Sequence, residues 1–359
     1  MKNVTSPFTS VRRHYFTYSK YSQKLCVPTL IHTFTLLDMV ISTLISDYYN
    51  LDAPNSDLRC YDLSYGKYIG ANLSNSNLQY VNISYANLSM CNLSGCNMTQ
   101  CIAICTILTK SNLKNSILNN ANFSKASLRY TELSYTHANC ITIQEADLTG
   151  ANLTAASACK VDFTVCKSTT NIILTASVLN DSDLSGLNFT NCNLAYLTAI
   201  HSTFNSCNFT KCILHHVNFT QAEMYNCQLS YANLEDSILH QANLSQSRCY
   251  HTSFHTVDLS YAILRSCILR KCDFTATNFT HADCIGSILQ EGDFYNTNFS
   301  YANLSNCNMA ELQLARINFQ YAILDHTNLT RANLFRANLL NTNLTTTILY
   351  EANLDLSRR

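Results

Sequence analysis

The sequence predicts an all-β chain wound into a stack of four-sided coils, and three observations predict it. A five-residue unit recurs over most of the length: Ala71-Asn72-Leu73-Ser74, Ala86-Asn87-Leu88-Ser89, Ala302-Asn303-Leu304-Ser305 and Ala337-Asn338-Leu339 each read small residue, Asn or Asp, Leu or Phe, then two variable, mostly polar residues. The unit keeps its phase. Central Leu/Phe positions run in steps of five from Leu58 to Phe163, 22 in all, and after one inserted residue from Leu174 to Leu354, 37 more. Only seven of these 59 centres (Tyr68, Ala103, Ala138, Ala158, Ala199, Cys249 and Cys284) are not Leu, Ile, Phe or Met. Finally, Phe254, Phe274 and Phe294 are spaced by twenty, as are Phe279, Phe299 and Phe319.

A period of five matches neither the 3.6 of an amphipathic helix nor the 2 of a strand, so the chain must turn a corner at every repeat. Small residues and centres then face inward, while Asn/Asp and the variable pair face water. Four sides close a square of about twenty residues, and about fifteen squares stacked at the ~4.8 Å strand spacing make a rod of roughly 70 Å. The phenylalanines form ladders inside it.

From residue 58 to 356 this pattern resembles the pentapeptide-repeat family, whose unit is the same. The resemblance implies a right-handed quadrilateral parallel β-helix. It implies less about function, because the family includes acidic DNA-mimicking rods that protect type II topoisomerases, secreted bacterial effectors, and many members with no established activity.

Taken in chain order, residues 1–25 read as a basic flexible arm, with Lys2, Arg12, Arg13, Lys20 and Lys24 and no acid; a weak contact to nucleic acid or anionic membrane is the alternative. Residues 26–57 read as an amphipathic capping helix and linker. Leu30, Ile31, Phe34, Leu37, Ile41, Leu44 and Ile45 share one helical face after Pro28, which suits a first helical turn. Solenoids need their apolar ends covered. A membrane span would have to place Asp38 in hydrocarbon, at several kcal/mol. The repeat follows over 58–356, with a bulge or loop expected between Phe163 and Leu174 near Lys167-Ser168-Thr169-Thr170. At the far end Leu339, Leu344, Leu349 and Leu354 are candidates for an end-to-end homodimer interface, since an uncovered coil leaves open strand edges.

Composition narrows the function. Lys+Arg and Asp+Glu are both 23 in 359 residues, and from Leu58 onward there are 19 acids and 18 bases. A DNA mimic must match about one negative charge per 1.7 Å, so nucleic-acid imitation is disfavoured. Eleven of the 18 cysteines fall in the inward small-residue slot (Cys91, Cys96, Cys101, Cys166, Cys192, Cys207, Cys212, Cys227, Cys267, Cys272 and Cys307). They read as reduced core residues, although Cys192/Cys212 and Cys207/Cys227 lie one coil apart, close enough to bridge. Asn-x-Ser/Thr tripeptides at Asn72, Asn87, Asn122 and Asn218 are products of the repeat rather than glycan acceptors. A thiol-reducing, cytoplasmic location fits.

Catalytic motifs and cofactor signatures are not found. Stacking by twenty aligns His215, Glu235 and His255, with His216 and Asp236 beside them, a set that includes zinc ligands but lies on a flat face without a cleft. His251, Lys271, Glu291, Glu311, Arg331 and Glu351 align as surface ion pairs. Tyr261, His281, Tyr301 and Tyr321 align as an exposed aromatic column, the candidate partner surface, with ring stacking that only stabilises the rod as the alternative. The reading is a non-enzymatic scaffold or interaction module for an unknown protein partner. Its alternatives are a topoisomerase-protecting rod and a secreted or membrane-associated effector.

Overall fold

In the computed structural model, which describes residues 49–359, the chain winds as a β-helix solenoid. On most sides the residue before a centre bridges in parallel to the residue twenty positions on, as Asp52 does to Asn72, Asn72 to Asn92 and Asn338 to Arg358; across the inserted residue the step is 21, as from Asp147 to Ser168. The basic arm and the capping helix lie outside the described residues up to residue 48. The last part of the expected linker is already coil, because Asn50 donates to Ile69 (3.0 Å) and Ala53 to Asn72 (2.9 Å). Ala53 is a small centre preceded by Leu51 and followed by Pro54, a poor match to the repeat but one the square accepts.

Backbone hydrogen bonding explains the five-residue unit. On the side centred at Leu73, the Leu73 N–H donates to Asn92 of the next coil (2.9 Å), and the corner N–H of Asn75 to Ser94 (2.8 Å). Asn72 donates back to Leu51 (2.7 Å), and Ser76, starting the next side, closes the turn onto the Leu73 carbonyl (3.2 Å). One N–H is left, that of Ser74, and the Asn72 Oδ1 accepts it (3.2 Å). Asn or Asp before the centre therefore caps the amide that the coil-to-coil ladder misses, an Asx turn on the sides that carry it. On some sides where that residue cannot cap, an Asn one coil below substitutes: the Asn119 Oδ1 accepts from Asn139 (3.0 Å) and the Asn139 Oδ1 from Cys159 (2.9 Å), on sides carrying His137 and Ser157.

Corners are left-handed. The second residue after each centre has positive φ, between 54° and 65° wherever it is not glycine, as the third residue of a type II turn requires. Val165 and Thr346 are the only two described corners without it. Both are β-branched, the class for which this conformation is most strained; Thr256 adopts it nonetheless (φ 57°).

Inside, the centres are almost fully buried and stack as ladders. Phe254, Phe274 and Phe294 lie parallel at 5.1 Å per step, and Phe279, Phe299 and Phe319 at 4.6 and 5.5 Å. Small-slot hydroxyls and thiols donate to the turn carbonyl one coil below, as Ser116 does to Leu93 (2.9 Å) and Cys96 to Leu73 (3.0 Å). Serine, threonine and cysteine are thus interchangeable there. Gly66 occupies this slot beneath an oversized centre: a Cβ on it would stand 2.3 Å from the Tyr68 ring.

The register break is a β-bulge. Lys167 donates to Ala146 (2.9 Å) while Ser168 accepts from Leu148 (2.8 Å), two roles that Asp147 alone fills one coil below; one extra residue faces one partner. Just upstream lies Val165, one of the two corners that do not turn left-handed. Beyond the bulge the N–H groups of Thr169, Leu174, Asn188 and Asn193 make no coil-to-coil bond, and the inward residues Cys166, Leu187 and Cys192 are only partly buried.

This seam, which combines missing bonds with partly uncovered inward residues, is expected to open before the regular coils. Amide exchange should be fastest at Leu174, Asn188 and Asn193, with first proteolytic cuts at 167–170. Deleting Lys167 together with Val165→Asn should restore the pairing and stabilise the rod by about 1–2 kcal/mol. An unchanged denaturation midpoint would contradict the bulge as the weak point.

Candidate functional site

The four aromatic residues of the candidate partner surface are all corner residues, so the left-handed turn aims their side chains off one edge of the rod. Tyr261, His281, Tyr301 and Tyr321 form one continuous stack, with centroids 4.6, 4.7 and 4.7 Å apart and rings within 16° of parallel. The tyrosines are 49%, 46% and 42% exposed. The column extends further back along the rod than the sequence reading placed it. His201 faces Asp181 at 3.5 Å and hydrogen-bonds Gln221, and Gln221 donates to Gln241 (2.6 Å). The twenty-residue spacing that revealed the aromatic half applied equally to these polar positions.

On the diagonally opposite edge, the column from His251 to Glu351 forms ion pairs: Lys271–Glu291 at 3.4 Å, Arg331–Glu351 at 2.7 Å and Arg331–Glu311 at 3.7 Å, with Arg270 also on Glu291. The hydrogen bond from Arg270 is the main reason that the Glu291 carboxyl is lowered. These groups are solvent-exposed, and such pairs contribute little each.

The aligned His215, Glu235 and His255 do not converge. His216 instead stacks on Tyr196 (5.0 Å) and lies 3.9 Å from Asp236, which accepts from Thr256 (2.5 Å), while His255 faces Asp273 at 4.0 Å. Among the described residues no three His, Cys, Asp or Glu side chains are placed to share a metal ion. A shallow depression beside Asn112, Lys114, Glu132, Tyr135 and Asn152 holds one carboxylate. Burial raises the Glu132 carboxyl, but hydrogen bonds from Ser134 and Asn152 and the Lys114 charge outweigh it, so the net shift is downward. A lone, fully engaged carboxylate has neither nucleophile nor partner acid.

All described cysteines are free thiols, including the pairs Cys192/Cys212 and Cys207/Cys227 that spacing left open. Burial pushes Cys96 up to about 11 and Cys101 up to about 12. Repeat asparagines are likewise occupied: the Asn218 Oδ1 accepts both the N–H and the hydroxyl of Thr220, and the Asn72 Nδ2 donates to Asp52.

Eight copies of the model for pentapeptide repeats match residues 56–95, 106–139, 202–241, 237–275, 277–311 and 313–354, more than half of the chain. The chain belongs to the pentapeptide-repeat family. Its solenoid is accordingly a right-handed β-helix, and proteins of this family are generally non-enzymatic structural or interaction proteins. The unmatched stretch from 140 to 201 contains the bulge.

Similar solved structures include HetL, a pentapeptide repeat protein involved in heterocyst differentiation regulation from the cyanobacterium Nostoc, at 22% identity over 70% of this chain and 90% of that one, TM-score 0.27. A trypsin-treated form of QnrB1, a plasmid-mediated fluoroquinolone resistance protein, matches at 15% identity over 56% and 90%, TM-score 0.26. Rfr23 from the cyanobacterium Cyanothece matches at 19% over 33% and 89%, TM-score 0.21. No curated protein matches the sequence.

The thiols make a prediction with a definite sign. A group whose folded pKa is raised contributes stability that is complete below its unfolded pKa, here near 9.0, and is lost as pH rises through the folded value of about 11 for Cys96. The rod should therefore lose stability between about pH 9 and 12 in denaturant titrations. Cys91→Ser with Cys96→Ser should keep the turn hydrogen bonds and flatten that slope. In the native protein, thiol reagents should label exposed Cys60 and Cys140 well before the buried set.

Proposed function

We propose that the chain is a non-enzymatic interaction scaffold, and that the edge carrying Tyr261, His281, Tyr301 and Tyr321 is where a protein partner docks. The observation that carries this reading is the stack itself: four parallel rings held at coil spacing by backbone bonds and exposed on one edge. Such an edge presents apolar area with little side-chain entropy left to lose, the property that favours aromatic residues at interfaces. Ile263 and Ile323, two residues beyond Tyr261 and Tyr321, are 37% and 46% exposed and widen the apolar strip. Free thiols at the described cysteines suit a reducing, cytoplasmic setting. The balanced charge of 19 acids and 18 bases from Leu58 onward gives no support to topoisomerase protection by DNA mimicry, and no observation favours an effector role.

A tagged full-length protein should recover a partner that Tyr261→Ala with Tyr301→Ala loses at least tenfold, at an unchanged denaturation midpoint. If binding persists while stability falls, the stack serves only to hold the coils together.

Self-association belongs to the same proposal. Leu339 is buried, whereas Leu344, Leu349 and Leu354 are only partly covered by the core, which supports end-to-end pairing of two rods. Sedimentation should give a particle near twice 40.3 kDa, reduced to one copy by Leu349→Lys. A monomeric parent would refute it.

A further inference from the structure

Two pairs of tyrosines lie face to face on the outside of the rod. Tyr65 and Tyr85 stack with centroids 4.9 Å apart and rings 3° from parallel; Tyr301 and Tyr321 stack at 4.7 Å and 13°. Tyr65 and Tyr85 are 73% and 52% exposed. Each pair sits on corners tied together by backbone, Tyr65 donating to Ser84 (3.0 Å) and Tyr301 to Gln320 (2.9 Å). A third tyrosine–tyrosine contact, Tyr231 with Tyr250, is edge-on at 83° and 5.8 Å. Exposed Tyr80, Tyr130 and Tyr135 face no tyrosine ring among the described residues.

We propose that Tyr65/Tyr85 and Tyr301/Tyr321 are sites of oxidative tyrosine coupling, covalent staples that link one coil to the next. The co-reactant is a one-electron oxidant of the haem-peroxidase class working with hydrogen peroxide. Each phenol gives up one electron and releases its proton to water. The two phenoxyl radicals join through a carbon–carbon bond between positions ortho to the oxygens, and the ortho hydrogens move to oxygen as the rings regain aromaticity. Two electrons and two protons leave the pair, and one peroxide becomes two waters. Coupling of free phenoxyl radicals is limited by encounter, and the coil spacing replaces encounter with a fixed neighbour at high effective concentration. Each link closes a loop of twenty residues in a rod whose described cysteines form no disulfide, and such a cross-link restricts the unfolded chain. His281 lies between Tyr261 and Tyr301 and blocks coupling there. This inference is independent of partner docking.

The test treats purified full-length protein with a haem peroxidase and limiting peroxide, then maps cross-linked tryptic peptides by mass spectrometry and reads dityrosine fluorescence. Two intramolecular links are expected, in several-fold higher yield than from urea-unfolded chain. Tyr85→Phe should abolish one and Tyr321→Phe the other. His281→Tyr should add a link to Tyr261 or Tyr301. Links scattered over Tyr80, Tyr130 or Tyr231, links found only between molecules, or equal yield from unfolded chain would each overturn the proposal.

Discussion

The structure depends on how its backbone amides are committed every five residues. On a regular side two N–H groups point to the next coil, one to the previous coil, one closes the turn, and the fifth is captured by the Asn or Asp before the centre. A buried amide left without a partner costs free energy comparable to a lost hydrogen bond, so a chain with this many corners gains from an Asn or Asp that closes the corner locally. Asparagine is therefore a structural residue throughout, and its side-chain amide does further work along the faces: Asn338 donates to Asn318 (2.9 Å) and Asn318 to Asn298 (2.8 Å).

The price of this arrangement is a left-handed residue at nearly every corner, a conformation that costs L-residues roughly 1–2 kcal/mol each. The coil-to-coil bonds and the buried centres offset it. Where the corner residue is Val165 the conformation is not reached, and the consequences spread: an extra residue enters, the ladder opens on two successive sides, and Leu187 and Cys192 lose part of their cover. Thr346 shows a smaller version, with the expected bridge between Ile323 and Asn343 missing.

Because corners project side chains off the edges, the same constraint organises the surface. Residues twenty apart become neighbours at ring-stacking distance, so any aromatic repeated at that interval becomes a stack and any alternating charge becomes an ion pair. Catalysis requires convergence of unlike groups in a space closed to water; a flat lattice of like positions brings together ladders instead. His215, Glu235 and His255 illustrate this, since alignment by spacing did not make them converge. An interaction surface is what such a lattice supplies readily.

The period of the sequence alone determined the class of fold, the inward and outward positions, the phenylalanine ladders, the approximate place of the inserted residue and the alignment of Tyr261, His281, Tyr301 and Tyr321. All of these follow from one-dimensional spacing once each side is five residues and each coil twenty. Tertiary structure decided what spacing cannot express. It shows that the rings lie parallel rather than merely in line, because that depends on how the corner dihedrals aim them. Asn119 caps an amide one coil above, which depends on atoms twenty residues apart. The coil already includes Asn50 and Ala53, since a small centre is tolerated where neighbouring coils fill the space. The bulge falls between Lys167 and Ser168, two residues after Val165, a β-branched corner that does not turn left-handed. That signal was present in the residue type, but its meaning appeared only once nearly every other corner was seen to turn left-handed.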